Sequence, residues 1–453
     1  MKSKKIFEKS LFIFRRDLRL EDNTGLISAL KESVQVIPAF IFDDRQANKE
    51  NNKYFSENAF AFMIESLKEL DKELRKKGSK LFVFYGIAEE VIEEIINKES
   101  INAVYVNRDY TPFSIRRDTA ISLLCKRENI EFKSFSDIML NEMVLKLDGK
   151  PYTVFTAFWK RASQIPVRKP EQNNFFNYAI NYSSNEKISF PECTNNIKRM
   201  KGGRSKAIKI LKNIGKLRNY EYVKDYPYVN GTSRLSAHLK FGTVSVREVY
   251  WSIVKKLSQT HPLIRQLYWR DFFYHIGYNF PKVFNSEFQD KYKKIKWSYS
   301  NKRFNAWKNG ITGFPIVDAG MRELNATGYM HNRVRMIVAS FFVKDLHIDW
   351  RLGEKYFSQK LVDYDPCINN GNWQWVASTG CDSQPYFRIF NPWLQQIKFD
   401  PKCKYIKKWV TELRHITSSI IHKAYKHNIS GYPKPIVDHN VESQKAIFIY
   451  KAI

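Results

Sequence analysis

Leu11-Phe12-Ile13-Phe14-Arg15-Arg16-Asp17-Leu18-Arg19-Leu20 opens on four apolar residues and breaks at once into charge. A short apolar run with such an abrupt end is the pattern of a strand buried on both faces. Four more runs of strand length follow at Val36 to Phe42, Lys80 to Tyr85, Ala103 to Val106 and Glu131 to Phe135. Helical spacing fills the gaps, most plainly in Phe60, Met63, Ile64, Leu67, Leu70 and Leu74, with Gly78 as the stop. Strands separated by helices predict a doubly wound, mostly parallel α/β sheet. The first strand leads into Arg15-Arg16-Asp17 and not into G-x-G-x-x-G, so that phosphate-binding turn is absent there, and no P-loop stands elsewhere.

Outward from this region the pattern changes. Ser163 to Asn196 is rich in Pro, Asn and Ser and has little periodicity, which reads as a connection between domains. Beyond it the spacing is helical almost to the end, starting at Arg204 to Arg218 with Ala207, Ile210, Leu211, Ile214 and Leu217 on one face. A chain of 453 residues exceeds one ordinary core. The expected division is therefore an α/β domain over 1–135, a connection over 136–200 and an all-helical domain over 201–453.

Charge narrows the partners. A formal +29 points to a polyanion, of which nucleic acid is the commonest, although a lysine-rich composition alone raises the same number. No run of eighteen apolar residues exists, and Met1 to Ser10 lacks the apolar core of a signal peptide. The expectation is an intracellular monomer with no membrane contact, in the cytoplasm, or in the nucleus of a eukaryote. Cys125, Cys193, Cys367, Cys381 and Cys403 form no C-x-x-C pair and read as reduced structural thiols. No metal-ligand spacing is present.

Four later segments mix polar and aromatic residues more densely than a plain core. Gly231 to Ser236 brings two hydroxyls, an arginine and backbone N–H groups ahead of a helix, which suits either an anion or a simple cap. Met330 to Met336 places Asn332, Arg335 and Met336 on one side of a helix and Arg333 elsewhere. Asp363-Tyr364-Asp365 pairs two carboxylates, and Trp373-Gln374-Trp375 pairs two indoles. An arginine with buried carboxylates serves equally as a structural ion pair. Together with two tryptophans within 46 residues, it suggests a large, planar, hydrogen-bonding ligand.

These segments carry a resemblance. Phe14 to Leu20, Gly231 to Ser236, Thr312 to Ala319, Met330 to Met336, Asn369 to Trp375 and Tyr386 to Pro392 together resemble the photolyase/cryptochrome family, in that family's order. The likeness is to class I cyclobutane pyrimidine dimer photolyases, and it runs from about Leu11 to Pro435.

The resemblance implies FAD in the helical domain and UV-damaged DNA as substrate. Tyr220, Thr232, Ser233, Arg234, Leu235 and Ser236 match phosphate and ribityl contacts. Asn332, Arg335, Asp363, Asp365 and Asn369 match residues around the adenine and isoalloxazine, with Asp363 and Arg335 expected as a bidentate pair. Asn369 matches the residue facing flavin N5, where a neutral amide is the repair-type residue. Trp373, Trp350 and Trp297 match an electron-transfer triad; without the resemblance each reads as core. Trp269 and Trp375 match the walls of the dimer pocket, Met336 a residue touching the flipped dimer, and Arg333 and Arg388 phosphate contacts. Gln266 stands where dimer photolyases carry glutamate and resembles the (6-4) branch there. Met330 to Met336 lacks that branch's paired histidines, so cyclobutane dimers are the expected substrate. A (6-4) photolyase and a cryptochrome photoreceptor are the alternatives. A second, antenna chromophore near Asn107 to Tyr110 is left open among a folate, a deazaflavin, a flavin nucleotide or none.

Overall fold

The structure, a computed structural model, describes residues 5–182, 190–192 and 200–453. Cys193, Lys198 and part of the connection lie outside the described residues. Those described fall into two compact units. One is drawn from Met1–Asn195, Lys201–Lys216 and Ser233–Pro281, the other from Asn196–Met200, Leu217–Thr232 and Lys282–Ile453. The units thus cut across chain order, since the segments 201–216 and 233–281 group with the sheet.

The first unit is built on five parallel strands: β1 (Phe7–Phe14), β2 (Ser33–Phe42), β3 (Phe82–Tyr85), β4 (Ala103–Asn107) and β5 (Glu131–Phe135). Their order is β3-β2-β1-β4-β5, with Leu11 beside Ile37 on one side and Val104 on the other. The centre is apolar because β1 and β4 are covered on both faces; Leu11, Phe12, Val104 and Val106 are fully buried. Helices α1 (Thr24–Glu32), α2 (Glu57–Lys76), α3 (Ala88–Glu99) and α4 (Pro112–Arg127) connect the strands. Asn23 and Ser56 cap α1 and α2 by accepting from Leu26 N and Ala59 N. After α2 the chain turns at Gly78, whose φ of +78° suits a residue without Cβ.

The charged turn after β1 is a folding device. Asp17 accepts from Arg15 N at 2.7 Å and Asn107 Nδ2 at 2.5 Å. Arg19 donates to Asp137 at 2.6 Å and to the Gly242 carbonyl at 3.1 Å. Arg247 joins the same network through Asp22 and Asp137. All five groups are buried; Arg19, Asp22, Asp137 and Arg247 are ion-paired, and Asp17 is satisfied by hydrogen bonds.

Part of the connection is laid along the sheet. Val36 N donates to Asn177 O, Ala179 N donates to Val36 O, and Asn173 Nδ2 donates to Leu20 O. Four longer helices follow in this unit: α5 (Phe155–Ala162), α6 (Arg204–Lys212), α7 (Val246–Lys256) and α8 (Pro262–Asn279). The amphipathic run from Arg204 stops being α-helical at Lys212 and tightens into a 3₁₀ turn over Ile214–Leu217, so its apolar face is delivered by two elements.

The second unit is helical. Its main helices are α9 (Asn301–Asn309), α10 (Pro315–Thr327), α11 (Asn332–Ser340), α12 (Trp350–Lys360), α13 (Pro366–Ala377), α14 (Pro392–Phe399) and α15 (His439–Lys451). Proline at the first position starts α10, α13 and α14, where its missing N–H costs nothing. The core centres on Trp307, Phe341, Phe342, Trp350 and Trp373. Asp318 braces the entry to α10 by accepting from Thr312 N, Gly313 N and the Tyr432 hydroxyl.

Candidate active site

Helix α13 carries Trp373 and Trp375 two residues apart, which turns them to opposite sides. Trp373 is buried and Trp375 half-buried. Around Trp373 stand Phe357 at 5.0 Å, Phe342 at 5.8 Å and Trp307 at 6.3 Å between ring centres, all edge-on. Gly353 on α12 makes room for the indole, since a Cβ there would lie 2.2 Å from Trp373 Cη2. Trp350, also buried, is the first residue of that same helix, one turn before Gly353. A bridge between Ser298 and Ile348, with Ser298 N donating to His347 O at 2.9 Å, brings half-buried Trp297 to the start of α12. Three indoles are therefore gathered in one unit, and exposure rises from Trp373 to Trp297.

The polar residues gather at the two ends of α11 and α13. Arg335 donates from Nη2 to Asp363 Oδ2 at 2.9 Å, while its Nε donates to the Met330 carbonyl at 2.8 Å. The expected bidentate pair is thus a single bond, because Met330 takes the second edge of the fork. Asp363 Oδ1 is left buried with no hydrogen-bond partner, an arrangement that costs free energy unless a donor is supplied. Nearby in sequence, Asn369 donates from Nδ2 to the Glu354 carboxylate at 2.9 Å and to the Glu354 carbonyl at 3.1 Å. That use of the amide nitrogen leaves the Asn369 oxygen to face other partners. Burial pushes the Glu354 carboxyl up to about 7. Asp365 caps α13 by accepting from Ile368 N at 3.2 Å, so one of its oxygens already has a structural duty.

Among the other expected residues of this unit, Asn332 Nδ2 lies 3.6 Å from Met336 Sδ, placing both on one side of α11. Arg333 turns away, as the spacing predicts, and donates to Asp225 Oδ1 at 2.8 Å with its guanidinium over Phe399. Arg388 is exposed. Tyr220 is buried, and that burial holds its phenol up at about 12. Thr232 is half-buried.

The first unit holds the remainder. Ser233 to Ser236 precede a helical turn of only five residues, Ser236–Lys240, with Leu235 buried and Arg234 exposed at φ +52°. On α8, Gln266 is exposed and Trp269 half-buried. Phe155 stacks on Trp269 at 3.6 Å and 9°, covering one face of the indole.

The structural roles of three residues escaped the sequence reading. Glu354 has no motif of its own; its burial beside Asn369 is what marks it. Phe155 looks like any core aromatic until its partner is known. Gln374 lies between the two indoles and ties α13 to the segment 283–288, donating to Val283 O and Ser286 O and accepting from Phe288 N. Among the described residues no cluster of His, Cys, Asp and Glu is arranged to hold a metal ion. No helix among them is long and apolar enough to cross a membrane. Cys125, Cys367, Cys381 and Cys403 are buried.

Comparison with known proteins bears on this geometry. Residues 10–173 match the family model described as DNA photolyase, and residues 263–452 match that described as the FAD binding domain of DNA photolyase. A deoxyribodipyrimidine photo-lyase of Alkalihalophilus pseudofirmus is 36% identical, with 97% of each chain covered. A crystal structure of an archaeal photolyase from Sulfolobus tokodaii, described as holding two FAD molecules, is 48% identical with a TM-score of 0.89, covering 98% of this chain and 100% of that one. The Synechocystis cryptochrome structure is 28% identical with a TM-score of 0.91, over 98% and 100%.

Proposed function

Since the chain belongs to the photolyase/cryptochrome family, we propose that it repairs cyclobutane pyrimidine dimers in DNA, using light and a bound FAD. The observation that carries the flavin reading is Asp363 Oδ1, a buried acceptor without a partner, 28 residues from the arginine that holds its twin oxygen. An isoalloxazine ring offers an N–H donor edge of the kind this oxygen lacks. When bound and reduced, FAD supplies the light-driven electron that splits the cyclobutane ring and recovers it afterwards.

The chain's own residues do the rest. Arg335 sets a positive charge beside the ring and fixes Asp363. Asn369, held by Glu354, orients a neutral amide that cannot itself give up a proton. Tyr220, Thr232, Ser233, Arg234, Leu235 and Ser236 are assigned to the phosphates and ribityl chain, and Asn332 and Asp365 to the adenine side. Trp297, Trp350 and Trp373 pass electrons inward from solvent. Trp269, Trp375, Met336 and Gln266 are each assigned to the flipped dimer, whose flat bases suit indole faces. Arg333 and Arg388 are assigned to DNA phosphates, in keeping with the net charge of +29. Residues 201–453 then carry FAD and DNA, and 1–135 the antenna chromophore. For that antenna, the two FAD molecules of the Sulfolobus tokodaii relative favour a flavin nucleotide over a folate or a deazaflavin.

A signalling cryptochrome is the second reading, favoured by the likeness to the Synechocystis protein. Asparagine at 369 argues for repair. The absorption spectrum of the purified protein, before and after denaturation, tests the cofactor. One non-covalent FAD per chain is expected, and a second flavin equivalent if the antenna is a flavin. A folded protein with no flavin bands and no uptake of added FAD would end the reading.

A further inference from the structure

Four residues of the first unit interleave where α5 packs on α8. Phe155 and Trp159 are four apart on α5, and Arg265 and Trp269 four apart on α8, so each pair shares one face of its helix. Trp269 lies flat against Phe155, and the Arg265 guanidinium stands over two rings, 5.3 Å from the centre of Phe155 and 4.8 Å from that of Trp159. The order along the contact is thus indole, phenyl ring, guanidinium, indole. Gln266 is the immediate neighbour of Arg265 and stands three residues before Trp269, on the same side of α8.

Packing alone does not account for Arg265. It is exposed, and among the described residues no carboxylate pairs with it and no hydrogen bond takes up its N–H groups. The two helices bring no compensating charge either. Phe155–Ala162 contains no acid and adds the exposed cations Lys160 and Arg161, while Asp271, the sole acid of Pro262–Asn279, is buried.

We propose that Arg265 binds a backbone phosphate of the DNA strand that carries the lesion, beside the flipped dimer. The proposal rests on the assignment of Gln266 and Trp269 to that dimer. Aromatic rings hold a guanidinium by its face, which leaves its edge, where the N–H donors lie, open to an acceptor. A phosphate offers two oxygens that match this fork and take two parallel hydrogen bonds. The stack also fixes the side chain before DNA arrives, so less rotamer freedom is lost on binding than for an unsupported lysine. The charge draws the polyanion in, and the fork sets the register of the strand against the pocket wall. Arg265 takes no part in the electron transfer; it positions the strand.

Titrations of the FAD-loaded full chain with a duplex bearing one cyclobutane dimer, at several salt concentrations, test this. Arg265→Gln should weaken binding about tenfold and make the log–log salt slope shallower by about 1, with bound FAD retained. Arg265→Lys keeps the charge without the fork, so it should restore the slope but only part of the affinity. Duplexes in which one phosphate at a time is replaced by a neutral methylphosphonate locate the contact: one such replacement should weaken the wild type and leave Arg265→Gln unaffected. Wild-type affinity and slope in Arg265→Gln overturn the proposal, and so does a variant still sensitive to every replacement that weakens the wild type. A lower repair yield at saturating DNA with affinity intact also overturns it, since Arg265 would then only brace Trp269. A wild type that binds dimer-bearing and undamaged duplexes alike overturns the reading of the pocket on which the proposal rests.

Discussion

Replacing Glu354 by Gln should stabilise the protein in alkaline but not in acidic solution. Glu354 is 8% exposed, and among the described residues its carboxylate accepts from the Asn369 amide, at 2.9 Å. Burial raises the carboxyl from 4.5 to about 7. Below pH 4.5 the group is protonated in both the folded and the unfolded chain and contributes no difference. Between pH 4.5 and 7 the folded chain keeps a proton that the unfolded chain has lost, so stability falls as pH rises through this window and levels off above it. At about 1.36 kcal/mol for each tenfold change in proton affinity, a rise from 4.5 to about 7 amounts to about 3 kcal/mol. Glutamine keeps an acceptor for Asn369 and never ionises. Over 453 residues with an unfolding entropy of about 2 cal/mol/K each, that difference is worth about 3–4 °C in Tm. Paired thermal melts of wild type and Glu354→Gln at pH 4 and pH 8 measure it. The variant's advantage should grow by this amount from the lower to the higher pH; an equal Tm difference at both, or a loss at pH 8, refutes the argument.

Gly353→Ala would set a Cβ 2.2 Å from Trp373 Cη2; moving the indole aside should cost about 1–3 kcal/mol and slow photoreduction, and an unchanged Tm counts against the contact. Trp373→Phe should slow photoreduction severely yet leave repair by chemically reduced enzyme nearly intact, whereas equal loss in both assays means that Trp373 is structural. Asp225→Asn frees Arg333 from its carboxylate partner. Titrations of DNA at several salt concentrations should then show tighter binding and a log–log salt slope steeper by about 1, and identical slopes would remove Arg333 from the phosphate contacts.

The buried strands were legible because both faces of β1 and β4 are covered, which leaves an unbroken apolar signature. The first residues of β1 were not, since Phe7-Glu8-Lys9 is partly exposed and too polar to extend the apolar run, yet it pairs with Ser33 to Gln35. Two-dimensional spacing also placed Asn332 and Met336 together and Arg333 apart. It did not show that Met330 would take one edge of Arg335, because a backbone acceptor has no signature in side-chain pattern. Glu354 and Phe155 were equally silent, as their meaning lies in contacts with Asn369 and Trp269 made far along the chain. Residues 201–216 and 233–281 packed with the sheet although they are helical, since grouping follows contacts such as Arg247 with Asp22 and not helical content.

Light-dependent repair on defined oligonucleotides tests the central claim most directly. FAD-loaded, reduced protein is given one oligonucleotide with a single cyclobutane thymine dimer and another with a single (6-4) product, each kept in the dark or under blue light. Restored thymines are expected in the illuminated cyclobutane sample only. Restored (6-4) sites with untouched cyclobutane dimers, or flavin-loaded protein that changes neither lesion under light, would contradict it.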